Sequence, residues 1–219
     1  MKRTILLQQA GLVTDCELPA PKFEHGEILS TLVRESNRPP TTVRKILRTA
    51  SGRRFELRRV LQKANCGVVR EASELVTDEN SDKSSVGGAC RRFAVKIMRP
   101  SSAVGNHECA ALQLLQQDSP QLHCGESQQG HPGVLQPEAL LRDDASNLYV
   151  VSPLCEGGEL TSHVMSRGRL SEDEARPLFR RVLEALRFVH TRGICHHDVS
   201  PENILLDANR TEASIIDFG

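Results

Sequence analysis

Neither sign of charge is in excess in this chain of 219 residues: Lys plus Arg and Asp plus Glu number 28 each. No overall field draws it toward nucleic acid or an anionic membrane surface, so its partners must be argued from sites. A C-x-x-C pair is also missing. The seven cysteines (16, 66, 90, 109, 124, 155 and 195) are scattered and odd in number, which argues against a disulfide framework and against a zinc site. A reducing, intracellular compartment follows, cytoplasmic by default; composition does not separate cytoplasm from nucleus. Long apolar runs are absent too. Lys2 and Arg3 precede Ile5, Leu6 and Leu7, but Gln8 and Gln9 cut that run short of a signal-peptide core, and no stretch of 18 apolar residues follows anywhere. Membrane and nucleic-acid partners are therefore not expected, and oligomeric state is not legible. What is present is a 38% apolar fraction, sufficient for a real core in one large domain or two small ones.

Residues 1–53 show no sustained periodicity, and Pro39-Pro40 breaks any helix begun among residues 28–34. They are expected to form a flexible basic leader. Its cluster of Arg34, Arg38, Arg44, Lys45, Arg48, Arg53 and Arg54 is read first as a solvated charged segment and second as a docking arm. From Phe55 and Leu57 an alternating strand pattern begins and resumes at Val68-Val69. Leu61 precedes the turn, and Gly67 and Val69 follow it; one glycine and a valine alone describe any hairpin. Residues 73–92 are polar and turn-forming, a long exposed loop. Phe93, Val95 and Ile97 then share one strand face, with Ala94 and Lys96 on the other. A lysine there is ordinarily an edge residue. Glu108 opens a helical stretch over residues 107–117 and shares a face with Leu112 and Leu115; it is either a partner for Lys96 or a first-turn carboxylate on the helix dipole.

A strand is expected after His131-Pro132-Gly133, with Pro137 awkwardly inside it. The apolar run 148–154 leads to Cys155, Glu156, Gly157, Gly158 and Glu159. Ser171 to Glu174 is a capping box, and Ala175, Leu178, Phe179, Val182, Leu186 and Val189 follow at helical spacing up to a Gly193 cap, with Pro177 inside. Asp198 and Asn203 come next, a carboxylate and an amide before the short buried strand 204–206, with Asp217 near the C-terminal end.

In this order the residues resemble the protein kinases. The stretch 196–206, His-His-Asp-Val-Ser-Pro-Glu-Asn-Ile-Leu-Leu, is similar to the family's catalytic loop H-R-D-L-x-x-x-N, and Asp217-Phe218-Gly219 to its D-F-G. Phe93 to Met98 matches V-A-I-K, and residues 148–160 look like the fifth strand and hinge. The resemblance implies an α+β, protein-kinase-like fold. Its complete antiparallel-sheet N-lobe with one C helix covers about residues 54–152, the hinge 153–158, and the first, helical part of the C-lobe 159–219. It implies a serine/threonine kinase that transfers the γ-phosphoryl group of ATP to protein hydroxyls, with ATP and Mg²⁺ as cofactors and a protein substrate as partner. By resemblance Asp198, Lys96 and Asn203 are catalytic, and Asn203 and Asp217 hold magnesium. Leu61, Gly67, Val69, Ala94, Lys96, Glu108, Pro153, Cys155 and Glu159 bind ATP, the hinge through backbone groups of Pro153 and Cys155. Ser152 takes the gatekeeper position.

Departures from the family pattern bear on activity more than on fold. Gln62 and Ala64 replace two glycines of the phosphate loop, Ser200 stands where a lysine contacts the γ-phosphate, and His197 replaces an arginine. Tyrosine specificity stays open for that reason. No activation loop follows Gly219, so a C-terminally truncated chain is expected, its helix from Ser171 lacking its usual cover. The alternative is a pseudokinase or partial-kinase regulatory module without catalysis.

Overall fold

The computed structural model describes residues 18–33, 42–64, 67–75, 91–100, 103–117 and 130–218. Seven strands close into a barrel in the order β1-β2-β3-β4-β5-β7-β6. They are β1 (Glu24–Val33), β2 (Thr42–Thr49), β3 (Arg54–Ala64), β4 (Gly67–Glu74), β5 (Arg92–Met98), β6 (Ala139–Arg142) and β7 (Leu148–Pro153). Neighbours pair antiparallel except at the closure, where Glu24 and His25 of β1 run parallel to Leu141 and Arg142 of β6. Period-two alternation sends one face of each strand inward, and Leu47, Phe55, Leu57, Ala72, Phe93, Val95, Leu141, Tyr149 and Val151 fill the barrel. Phe55 and Phe93 meet edge to face at 5.2 Å.

The expectation of a flexible leader over residues 1–53 is overturned for its second half, because β1 and β2 are integral to this barrel. Leu47 on β2 is fully buried, and the eight-residue β1–β2 ladder satisfies backbone groups that a solvated leader would leave to water. Arg44 and Arg48 do point outward as charged residues, and Arg44 pairs with Glu56 of β3. The part of the leader over 1–17, Arg34 and Arg38, the loop over 76–90 and Gly219 lie outside the described residues.

Helix α1 (Ala103–Gln116) shares a core cluster, through Cys109, Ala111, Leu112 and Leu115, with Met98 of β5, Leu140 of β6 and Leu148 and Val150 of β7. It starts four residues before the sequence suggests, so Glu108 sits beyond the first turn and the dipole explanation for it falls. Pro137 lies before β6, not inside a strand; it is buried, and its carbonyl accepts Gln116 Nε2 at 2.6 Å. The remaining chain supplies β8 (Gly158–Glu159), α2 (Leu160–Arg167), α3 (Glu172–Thr191), a 3₁₀ turn (Pro201–Asn203), β9 (Ile204–Leu206) and β10 (Ala213–Ile215). Both bonds of the Ser171/Glu174 capping box form. At the other end Gly193, at φ 71°, donates to His190 O and Ile194 N–H to Val189 O, a complete Schellman motif. Leu178, Val182, Ala185 and Val189 of α3 bury against Ile204, Leu206 and Ile215, while Phe179 and Leu183 stay exposed. Among the described residues no helix is long and apolar enough to cross a membrane.

Candidate active site

Between barrel and helices lies a cavity of about 500 Å³. One wall is the outer face of β4 and β5. Pairing of Val69 with Lys96 puts Val69, Ala94 and Lys96 on it, since the residues that alternate with them point into the barrel core. Gly67 is needed at the start of β4 for a different reason than nucleotide contact: a Cβ there would lie 1.8 Å from Ile97 O. It is not among the lining residues, so its role is close packing of β4 on β5.

Lys96 is the centre of the site. Its Nζ donates to Glu108 Oε1 at 2.9 Å and Oε2 at 2.7 Å, and to Asp217 Oδ1 at 2.8 Å. Burial alone would push its ammonium down, but the carboxylates of Glu108 and Asp217 outweigh it and hold Lys96 above its ordinary value. Burial pushes the Glu108 carboxyl up, Lys96 opposes that, and the charge of Asp217 adds to it. Glu108 reaches this place because α1 turns it inward with Leu112 and Leu115, all three buried.

The opposite end is built by β9 and β10. Ile204 pairs with Ile215, and Ile216 N–H then donates to Asn203 O at 3.0 Å, which sets Asn203 and Asp217 side by side. Asn203 Nδ2 donates to Asp198 O at 2.9 Å and to Asp198 Oδ2 at 3.1 Å. His196, buried, bonds Ile216 O through Nε2 at 2.7 Å and lies 4.8 Å from the Phe218 ring. His197 (φ 65°) and Asp217 (φ 66°) occupy the left-handed region that non-glycine residues rarely enter, so the fold holds both in strained backbone.

At the third side, residues 153–158 join β7 to β8. Leu154 N–H donates to Arg92 O, so Phe93 and Pro153 form a non-hydrogen-bonded pair. The missing donor of Pro153 therefore costs that ladder nothing, and its carbonyl points away from β5. Cys155 lines the cavity; its carbonyl accepts Gly158 N–H at 3.2 Å, which leaves its N–H as the group to offer a ligand. Burial, with Asp207 adding, pushes its thiol up to about 11. Gly157 allows close approach to the β9–β10 turn, since a Cβ there would stand 2.1 Å from Asp207 O.

Of the residues expected to act, Leu61, Val69, Ala94, Lys96, Glu108, Cys155, Glu159, Asn203 and Asp217 all line the cavity. Asp198 does not line it but is tied to Asn203, which does; Pro153 and Gly67 do not line it either. Sequence reasoning missed Leu205, an apolar side chain of β9 that lines the cavity together with Val69 and Ala94, and Glu202. It also missed a charged rim. Glu71, nearly buried, takes Arg59 Nε at 2.7 Å and Arg92 Nη2 at 2.8 Å, and Arg92 reaches Glu156 at 2.8 Å. Arg59, followed by Arg92, holds the Glu71 carboxyl below its usual range. A glutamate at an outward position of β4 was the available signal.

Residues 87–219 match the family described as Protein kinase domain. The maternal embryonic leucine zipper kinase of Xenopus tropicalis is 26% identical over 170 residues, 75% of this chain and 22% of that protein. CBL-interacting serine/threonine-protein kinase 9 of Arabidopsis thaliana is 39% identical over 89 residues, 41% of this chain and 20% of that one. The chain thus spans about a fifth of the length of these relatives. A crystal structure of Rad53 1–466 in complex with AMP-PNP superposes with a TM-score of 0.57 at 26% identity, covering 75% of this chain and 38% of that one.

Proposed function

We propose, from the premise that this chain belongs to the protein kinase family, that its cavity binds ATP and that the site transfers the γ-phosphoryl group to a serine or threonine hydroxyl of a protein. The observation that carries this reading is Lys96, held by Glu108 and Asp217 on the wall of a cavity that Asn203 also lines, with Asp198 bonded to Asn203.

Val69 and Ala94 of the sheet and Leu205 of β9 accept the flat base against apolar side chains, while Cys155 N–H addresses its polar edge. Lys96, charged and aimed by two carboxylates, meets phosphate oxygens farther in. Such phosphoryl transfer asks a protein mainly for positioning and for charge stabilisation. In this reading Asp198 serves the first of these: Asn203 Nδ2 donates to its Oδ2, and Oδ1 orients the incoming hydroxyl and takes its proton.

The residues present fit Mg²⁺. Asn203 commits its amide N–H to Asp198, so Oδ1 is the atom it offers a hard cation, and Asp217 adds a carboxylate beside it. Among the described residues no cluster of three or more His, Cys, Asp or Glu side chains forms a metal cage, so the phosphates would share the coordination. When bound, the ion neutralises phosphate charge.

The test is magnesium-dependent transfer of labelled phosphate from ATP to a protein acceptor by the longest product containing this chain, beside its Asp198→Asn variant. Turnover that falls at least about a hundredfold in the variant supports the assignment. Equal turnover in both overturns it.

A further inference from the structure

The site above is complete only while α1 keeps Glu108 against Lys96, and the structure shows α1 gripped from its far side. Lys22 N–H donates to Gln113 Oε1 at 2.8 Å, and Gln113 Nε2 donates back to Lys22 O. That two-way bond is the pattern of one rung of a sheet, made here by a side-chain amide on α1. The next residue, Phe23, packs against the core cluster that includes Leu112 and Leu115 of α1. Arg142 of β6 stacks its guanidinium 4.2 Å from the Phe23 ring centre and donates to Asn106 Oδ1 of α1 at 3.2 Å. Chain direction is fixed immediately afterwards, where Glu24 and His25 join β6 beside Leu141 and Arg142.

Helical geometry says which way this grip acts. At 100° per residue Asn106 and Gln113, seven positions apart, share a face, and they stand about 160° and about 140° around the helix from Glu108. The grip is therefore on the back of α1, and it bears toward the cavity. We infer that residues 21–23 are a strap over α1, with Gln113 and Phe23 as positioning residues that hold Glu108 on Lys96 and so couple the segment before β1 to the nucleotide cavity. The coupling to nucleotide rests on the proposed function; the strap itself does not. Neither Gln113 nor Phe23 lines the cavity, so each acts through α1 alone.

Amide hydrogen exchange and ATP binding in the presence of Mg²⁺, measured on the whole chain, test it with Gln113→Ala and Phe23→Ala. His107→Ala, an exposed position on the same helix, is the control. Exchange over residues 106–116 is expected to accelerate about tenfold or more in both strap variants with α3 unchanged, and ATP affinity to fall about tenfold; His107→Ala moves neither. Gln113→Glu, which keeps the acceptor for Lys22 N–H, is expected to fall between. Unchanged exchange in α1 overturns the strap, as does acceleration spread equally over α1 and α3. Accelerated exchange at constant ATP affinity overturns the coupling. A wild-type chain that binds no ATP sinks the proposed function, and the exchange result still decides the strap.

Discussion

Lys96 Nζ donates to Asp217 Oδ1 at 2.8 Å across 121 residues of sequence, while the same ammonium holds both oxygens of Glu108. One cation thus joins the sheet, the helix and the segment after β10. The three groups carry a net charge of −1 on the wall of a cavity, a balance suited to a metal–phosphate ligand that brings its own cation. Asp217 is also the more exposed of the two carboxylates, with 45% of its side chain accessible against 5% for Glu108. The Glu108 contact is therefore the structural one, and Asp217 is the group able to exchange partners.

That difference predicts an asymmetric response to mutation. Lys96→Met leaves Glu108 buried without its counter-ion, which is expected to cost about 3–5 kcal/mol in urea unfolding at neutral pH. Lys96→Met combined with Glu108→Leu is expected to recover most of that loss, because the buried charge goes too. Lys96→Met with Asp217→Asn is not, since Asp217 can turn to water. Equal recovery by both doubles would show that Glu108 is not the group that depends on Lys96.

Glu71 gives the clearest dependence on pH. Its carboxyl is held below the usual range by Arg59 first and Arg92 second. A carboxyl lowered by folding adds stability that is complete above its unfolded value, about 4.3, and is lost as pH falls through the folded value. Wild type is expected to be more stable than Glu71→Gln at pH 7, with the gap narrowing when both are unfolded by urea at pH 3. A gap that stays constant would mean that Arg59 and Arg92 do not depend on the ionised carboxylate.

The parts of this site that were legible in sequence are those whose chemistry is local. A lysine beside an alanine on a strand face, a carboxylate in phase with Leu112 and Leu115, and an Asp and Asn ahead of an apolar run each constrain their own neighbourhood. Their order supplied the rest. The hairpin of β1 and β2 was not legible, because Arg44 and Lys45 are both charged and only Leu47 and Thr49 mark the inward face of β2. Its partner, β6, is also distant in sequence, and the pairing that closes the barrel is two residues long. The rim of Arg59, Glu71 and Arg92 was hidden for a related reason: three strands contribute one residue each, and only register brings them together.

Gly67→Ala separates a packing glycine from a phosphate-binding one. A methyl at this position would stand 1.8 Å from Ile97 O, a backbone atom that cannot swing aside, so β4 and β5 must part. The expected loss is about 1–3 kcal/mol in urea unfolding, seen in the absence of any nucleotide. A variant of wild-type stability with weakened ATP binding would instead assign Gly67 to the ligand.

The barrel makes a last demand that a leader would not. Leu47 is fully buried among Phe55, Leu141 and the other inward residues, on a strand outside the span matched by the kinase family. If β1 and β2 share one cooperative unit with the cavity wall, Leu47→Ala removes packing that β5 and β7 also rely on. The cost is expected to be about 2–5 kcal/mol, with the whole described fold melting in one earlier transition. Ile46→Ala, on the outward face of the same strand, is expected to cost less than about 1 kcal/mol. A Leu47→Ala protein as stable as wild type would detach the hairpin from the core and return residues 24–49 to the role of an appended segment.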